Sequence, residues 1–259
     1  MNDLGTKENP VRCSSLPMLL TCAGFVKLRM IYSDESGVAA TLGTAAGRAI
    51  ELWHQNGDVT EALRIAKGEA ESGKANGQAG LGEREVAELT TVVNSYVEDE
   101  RNHGDAVVVE SLEQECLFEY KGVWFKGHFD CIRRGPDGLE MWDLKFTKRY
   151  SGTQAVAAYA AQLAAYTYAA REIYGEPVKA GGIIRLTGYV SPKRVLKDPP
   201  SERPVFFPCN WQDGVVEYLL DQCVDRIMAL DEGKTPINPG THCGFCVATS
   251  PDNCMRLLK

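Results

Sequence analysis

Asp130, Asp143 and Lys145 are the residues of this chain whose types and spacing can do chemistry together. Asp143 and Lys145 flank Leu144, and alternation along a strand sends both to one face while Leu144 points to the other. Asp130 ends the run Gly127-His128-Phe129-Asp130 inside the apolar stretch from Val123 to Ile132. The turn-forming run Arg133-Arg134-Gly135-Pro136-Asp137-Gly138 joins that stretch to the next. Antiparallel pairing of the two stretches brings two carboxylates and an ammonium into one pocket. Close carboxylates repel unless a cation sits between them, and hard oxygen donors suit Mg²⁺ or Mn²⁺. A lysine beside such a cation stabilises charge developing on a phosphate or helps position an attacking water. That is equipment for hydrolysing a phosphodiester.

Asp-x-Lys alone is common on solvated strand faces, so its surroundings matter. Leu139, Met141 and Trp142 make the preceding stretch largely apolar, which marks a buried strand. The run from Thr153 to Tyr174 reads as a helix, with Gln162 and Tyr166 at i and i+4 on one face.

In this order, Gly-x-x-Asp, Asp-x-Lys and Gln-x-x-x-Tyr resemble the motifs of the PD-(D/E)XK nuclease superfamily. The resemblance is to its RecB-like exonuclease branch that holds an iron–sulfur cluster, the branch of the CRISPR-adaptation nuclease and the AddB nuclease domain. It extends from Ser14 to Cys254. It implies a restriction-endonuclease-like core, a central mixed sheet flanked by helices, and a metal-dependent DNA nuclease, chiefly an exonuclease. The resemblance assigns Asp130, Asp143 and the Leu144 backbone carbonyl to Mg²⁺ or Mn²⁺, and Lys145 to the phosphate charge or the nucleophile. Gln162 and Tyr166 would position the nucleic-acid strand or support Lys145. A further carboxylate often stands on the strand before Asp130 in this family; Glu115 and Glu113 both match, and Glu115 is chosen. His128, two residues before Asp130, shares its strand face.

One position departs from the family pattern. Where an early helix carries Gly-x-x-x-His, this chain has Gly43-Thr44-Ala45-Ala46-Gly47. Glu51 is one helical turn further on, and His54 stands nearly two turns beyond Gly47.

The elements that must carry these residues mix helix and strand, an α/β or α+β class. With 259 residues and 44% hydrophobic content, the chain can bury a sizeable core as one large domain over residues 1–259. We divide it into an N-terminal helical part (14–105), the catalytic sheet with the Gln-Tyr helix (106–190), and a C-terminal helix with a cysteine-rich tail (191–259). Ser14-Ser15-Leu16-Pro17 opens a helix, and a second runs from Leu42 to Gln55. More helix spans Asp58 to Glu100, a helical insert broken at the glycine-bearing stretch Gly73–Gly80. Strands are expected over Ala106–Glu110 and Glu113–Tyr120, with Lys121-Gly122 as a hairpin turn. Ala180–Val190 reads as a strand, Ser191–Pro204 as a loop, and Gln212–Leu230 as an amphipathic helix.

Nine cysteines and no export signal point to a reducing cytoplasm, with thiols as core fillers or metal ligands. The apolar run Leu16–Val26 is too short to span a bilayer. Cys243-Gly244-Phe245-Cys246 has metal-site spacing, with Cys254 following. Three cysteines need a fourth ligand. The resemblance supplies Cys22, with Cys13 in reserve, and implies a structural [4Fe–4S] cluster tying the chain ends together. Structural Zn²⁺ with His242 is the alternative. Cys116, Cys131, Cys209 and Cys223 read as buried fillers.

The net charge of −7 shows no basic excess, so a nucleic-acid surface must be local. Lys145, Lys148, Arg149, Lys193, Arg194 and Lys197 are its candidates. DNA is the implied partner, together with a helicase or a recombination or adaptation protein; no membrane is implied, and an oligomer is compatible. The implied setting is the cytoplasm of a prokaryote, with the gene chromosomal or carried by a phage or plasmid. Gly47 also opens an alternative function, a non-catalytic DNA-binding or assembly module on a degenerate nuclease fold.

Overall fold

A computed structural model describes residues 4–24, 26–27, 37–73, 80–103, 108–146, 153–186, 204–209, 211–232, 234 and 238. In chain order the elements are β1 (Val11–Arg12), a 3₁₀ turn (Cys13–Ser15), α1 (Leu16–Thr21), α2 (Val38–Asn56), α3 (Val59–Gly73), α4 (Glu83–His103), β2 (Val108–Tyr120), β3 (Val123–Gly135), β4 (Gly138–Phe146), α5 (Thr153–Tyr174), β5 (Val178–Leu186), β6 (Val205–Pro208) and α6 (Val215–Asp231). The mixed sheet runs β1-β3-β4-β5-β6, with β2 added to β3.

Strand β3 organises this sheet. One of its edges carries β2 along nearly its whole length, in a register set by the Lys121-Gly122 turn. The other edge is shared: β1 pairs in parallel at Phe125 and Lys126, and β4 pairs antiparallel from Cys131 to Gly135. Between those two partners lie Gly127, His128, Phe129 and Asp130. Beyond Trp142, β4 diverges from β3, and its residues Asp143–Phe146 pair with the parallel strand β5. The sheet therefore forks, with Asp130 on one prong and Asp143 on the other.

Helices cover both faces. Leu16 and Leu19 of α1, Leu163, Ala164 and Ala169 of α5, and Leu220 and Ile227 of α6 pack with Phe125, Phe129, Ile132, Leu139 and Met141. The many alanines of α5 favour helix and let its backbone lie close to the sheet. On the opposite face, Ile50 of α2 and Val92 and Tyr96 of α4 pack with Cys131, Trp142 and Ile184. A further cluster joins α2, α3 and α4 to one another. No helix among the described residues is long and apolar enough to cross a membrane.

The expected α/β class and central mixed sheet flanked by helices are what the structure has. Three details differ. The two expected strands before the hairpin are one strand, with a register shift between Val109 and Ser111 absorbing the extra residue. Helix α2 starts earlier than expected, at Val38 after Gly37. The short strands β1 and β6 were not expected; two or four residues carry no alternation long enough to read. Most of the expected loop Ser191–Pro204 lies outside the described residues.

Candidate active site

Asp143 has no solvent exposure, and its two oxygens face different groups. Gln162 Nε2 donates to Oδ1 at 3.1 Å, while Lys145 Nζ stands 2.6 Å from Oδ2 as an ion pair. Asp130 is bound to the same strand by another route. The Leu144 N–H donates to Asp130 Oδ2 at 2.7 Å, bridging the fork where the ladder between β3 and β4 has ended. The Asp-Leu-Lys run thus supplies a carboxylate, an amide donor and an ammonium from three consecutive residues.

The glycine that opens the Gly-x-x-Asp run has a steric reason. A Cβ on Gly127 would lie 2.6 Å from Tyr166 Cε1 and 3.2 Å from Cys13 Cβ. Only glycine lets the Tyr166 ring approach the strand without displacement. The ring meets Phe129 edge-on, with centroids 5.7 Å apart. Gln162 Nε2 also donates to Tyr166 Oη at 3.3 Å. A continuous train of contacts therefore runs from Gly127 through Tyr166 and Gln162 to Asp143 and Lys145. Its last members also touch outside it: Lys145 Nζ sits 4.9 Å from the Tyr159 ring centroid.

Electrostatics bind the group together. Burial first, then the charge of Asp143, pushes the Asp130 carboxyl well above the usual carboxylate range, against the pull of Lys145. Burial works against the Lys145 ammonium, but Asp143 and Asp130 outweigh it and raise its pKa. Tyr166 is also raised, by burial and by nearby Cys13, Asp130 and Asp143.

The two candidate glutamates of β2 stand in different surroundings. Glu115 is exposed and stands opposite His128, which is exposed too. Glu113 is the one turned into the group. Burial and the charges of Glu51 and Asp143 raise its pKa, while His128 and Lys145 lower it. The cause is a change of phase in the hairpin. Phe129 and Cys131 are alternate residues, yet they belong to cores on opposite faces of the sheet. On β2, Gln114 reaches Tyr174 of α5 at 2.9 Å, whereas Leu112 packs with the α4 side. Glu113 lies at that switch with φ +47°, a left-handed conformation rare for glutamate. A two-residue hairpin at Lys121-Gly122 places Glu113 directly opposite Asp130, a signal available from counting back along the strands.

The early helix is also clear. A Cβ on Gly47 would lie 2.8 Å from Glu113 Oε1, so the glycine leaves space that Glu113 occupies. Glu51 pairs with Arg48 at 2.7 Å and accepts from Gln55 Nε2 at 3.1 Å. His54 is elsewhere, 3.3 Å from Tyr96 Oη against α4. Gln162, expected to act on substrate or on Lys145, instead contacts Asp143 and Tyr166.

Among the described residues no three His, Cys, Asp or Glu side chains stand arranged to hold a metal. The donor chemistry nevertheless fits a hard divalent ion. Asp143 Oδ2 is buried and is met by the Lys145 ammonium at 2.6 Å. Asp130, Asp143 and Glu113 are all oxygen donors of the kind Mg²⁺ or Mn²⁺ prefers.

Of the expected cluster ligands, Cys22 is described: it is buried at the end of α1. Cys243, Cys246 and Cys254 lie outside the described residues, as do Lys148, Arg149, Lys193, Arg194 and Lys197. Cys13, the reserve ligand, is buried beside Cys116 and Cys223. Cys116, Cys131 and Cys223 are buried free thiols, and Cys209 is half-buried.

No curated protein matches the chain. One solved structure, titled "Crystal structure of SSO0001", aligns with 90% of this chain and 95% of its own, at 14% identity and a TM-score of 0.37. The family pattern described as the PD-(D/E)XK nuclease superfamily matches residues 22–250, from the end of α1 past the forked strands and their clamping helix, and the chain belongs to that superfamily.

Proposed function

We propose that this protein is a divalent-metal-dependent deoxyribonuclease, an exonuclease of the RecB-like branch. The observation that carries the reading is the division of labour at Asp143, whose oxygens face Gln162 on one side and Lys145 on the other. Asp130 and Asp143, with the Leu144 carbonyl, would hold the ion. A divalent ion bound there supplies Lewis-acid polarisation of the phosphate and lowers the pKa of a water.

The chain's own residues do the rest. Gln162 fixes the rotamer of Asp143, and the Leu144 N–H fixes Asp130, so neither carboxylate must reorganise when DNA arrives. Lys145 keeps its proton well above neutral pH because two carboxylates face it. Its ammonium then offsets negative charge developing on the phosphate or orients the attacking water. Tyr166 buttresses Gln162 rather than touching DNA.

The cysteine-rich tail completes the proposal. Cys22, Cys243, Cys246 and Cys254 would hold a structural [4Fe–4S] cluster, with Zn²⁺ as the rival occupant, and residues 1–259 would form one nuclease domain. The partner is DNA, with unwinding left to a helicase or another recombination or adaptation protein.

The test is cleavage of end-labelled single- and double-stranded DNA by anaerobically purified protein in Mg²⁺, Mn²⁺ or EDTA. Divalent-dependent product that vanishes in Asp143→Ala is expected. A second reading, a DNA-binding or assembly module without catalysis, is favoured by Gly47 standing in place of the family histidine. DNA binding with no product from the folded, cluster-loaded protein would establish it.

A further inference from the structure

We propose that one DNA strand runs from the forked centre across the open face of β3, with Lys7, Arg12 and Lys126 against its phosphates. The inference rests on the reading of the fork as a nuclease centre and adds to it a surface that lies outside the fork.

The first half of β3 has one covered side and one open side. Val123, Phe125 and Phe129 are buried against α1, α5 and α6, and a Cβ on Gly127 would meet Tyr166 and Cys13 there. Alternation turns Trp124, Lys126 and His128 the other way. On that side, among the described residues, the cluster formed with α2 and α4 takes in β3 only at Cys131. Trp124 and Lys126 are therefore half-buried and His128 is exposed, as are Arg12 of β1 and Leu117 of β2 beside them. At about 3.3 Å per residue, Trp124 and Asp130 are roughly 20 Å apart along the strand. The row thus reaches from the hairpin end to the centre. At its inner end, His128 and Lys145 both act on the Glu113 carboxyl.

The charges on this face are arranged against the interest of the fold. Arg12 and Lys126 are register partners on parallel strands, so two cations stand side by side. The residue opposite Lys126 on its other edge is Leu117, which offers no countercharge. Lys7 adds a third cation, its Nζ held 5.1 Å from the Trp124 ring centroid. Elsewhere on the surface Arg48, Arg64, Lys121, Arg134 and Arg171 each pair with a carboxylate. Among the described residues, Lys7, Arg12 and Lys126 do not. Like charges set side by side on neighbouring strands are destabilising, and a chain of net charge −7 has carboxylates to spare for them. A polyanion laid across the three cations relieves their repulsion and releases its own counterions. Glu119 and Glu115, opposite Trp124 and His128 on β2, bound the path on its outer side. Adjacent strands lie about 4.8 Å apart, so the cations of β1 and β3 make a stripe that suits one phosphate backbone.

The experiment measures binding of a fluorescently labelled single-stranded oligonucleotide to the full chain by anisotropy, in EDTA and without turnover. Charge reversal in the double variant Arg12→Glu with Lys126→Glu should raise the dissociation constant about tenfold or more. Lys126→Ala should flatten the slope of log affinity against log salt by about 0.7, the share of one phosphate contact on a single strand. Leu117→Lys puts a further cation beside Lys126 at an exposed position, so it should tighten binding and steepen that slope. A blunt duplex of the same length should lose less affinity in the double variant, and an equal loss would overturn the one-strand path. Parent affinity in the double variant, with an unchanged slope in Leu117→Lys, would overturn the inference, while Mn²⁺-dependent cleavage by the parent would still uphold the nuclease centre. A parent that binds DNA through these residues and never cuts it would overturn that centre and leave the path standing.

Discussion

Asp130 and Arg133 are three residues apart on one strand, and the fold treats their charges in opposite ways. Arg133 is 3% exposed against α4, and its partners answer its charge. It forms a buried ion pair with Glu100, donates to Tyr96 Oη at 3.1 Å and Cys131 Sγ at 3.4 Å, and lies 5.4 Å from the Phe206 ring centroid. At the fork, Asp130, Asp143 and Glu113 stand, among the described residues, around the single ammonium of Lys145. The lesson is that burial alone does not mark a working charge. A structural charge is matched within the fold, whereas a charge kept for chemistry is held in place yet left partly unanswered.

The comparison breaks most clearly at Arg133. Replacing it with alanine leaves the Glu100 carboxylate buried without its cation, and about 3–5 kcal/mol of stability should be lost. Urea unfolding measures this, and added Mn²⁺ should restore little of it.

Lys145→Ala tests the fork. Cleavage should fall by about 10²–10³-fold or more, the scale of losing one electrostatic stabiliser, with DNA affinity largely kept. A variant that cuts at the parent rate would remove Lys145 from the mechanism.

Gly127→Ala sharpens the comparison by acting at a distance. The added methyl group meets Tyr166, so overpacking should cost about 1–3 kcal/mol and disturb Gln162 and Asp143 behind it. The expected signature is a lower turnover number with DNA binding little changed, read from single-turnover kinetics.

An effect confined to one pH window belongs to His54. Burial, with help from the charge of Arg133, lowers its pKa from 6.5 to about 4. A histidine with a depressed folded pKa adds stability above its unfolded pKa, and this is lost as pH falls toward the folded value. Between those two pH values the slope from this group is at most about 1.4 kcal/mol per pH unit. His54→Gln should be less sensitive than the parent across that window, in unfolding curves taken at several pH values.

Much of the site was legible before the fold was seen, because its chemistry is local. The Asp-Leu-Lys run puts a carboxylate and an ammonium two residues apart on a strand, and side-chain alternation then sends both to one face. Gln162 and Tyr166 share a helical face by their spacing of four, and they do touch. What alternation could not do was choose between Glu113 and Glu115. Residues two apart on a regular strand share a face, so the two glutamates look equivalent.

From the sequence itself came the α/β class, the hairpin at Lys121-Gly122 and the placing of Asp143 beside Lys145, all consequences of short-range periodicity and turn chemistry. Only the tertiary structure decided that the sheet forks between Asp130 and Asp143, that Gln162 holds Asp143, and that Glu113 turns inward over Gly47. Those outcomes depend on how β4 leaves β3 and how closely α2 approaches the kink. A backbone angle at one residue is settled there by packing between segments far apart in the chain, which no local pattern encodes.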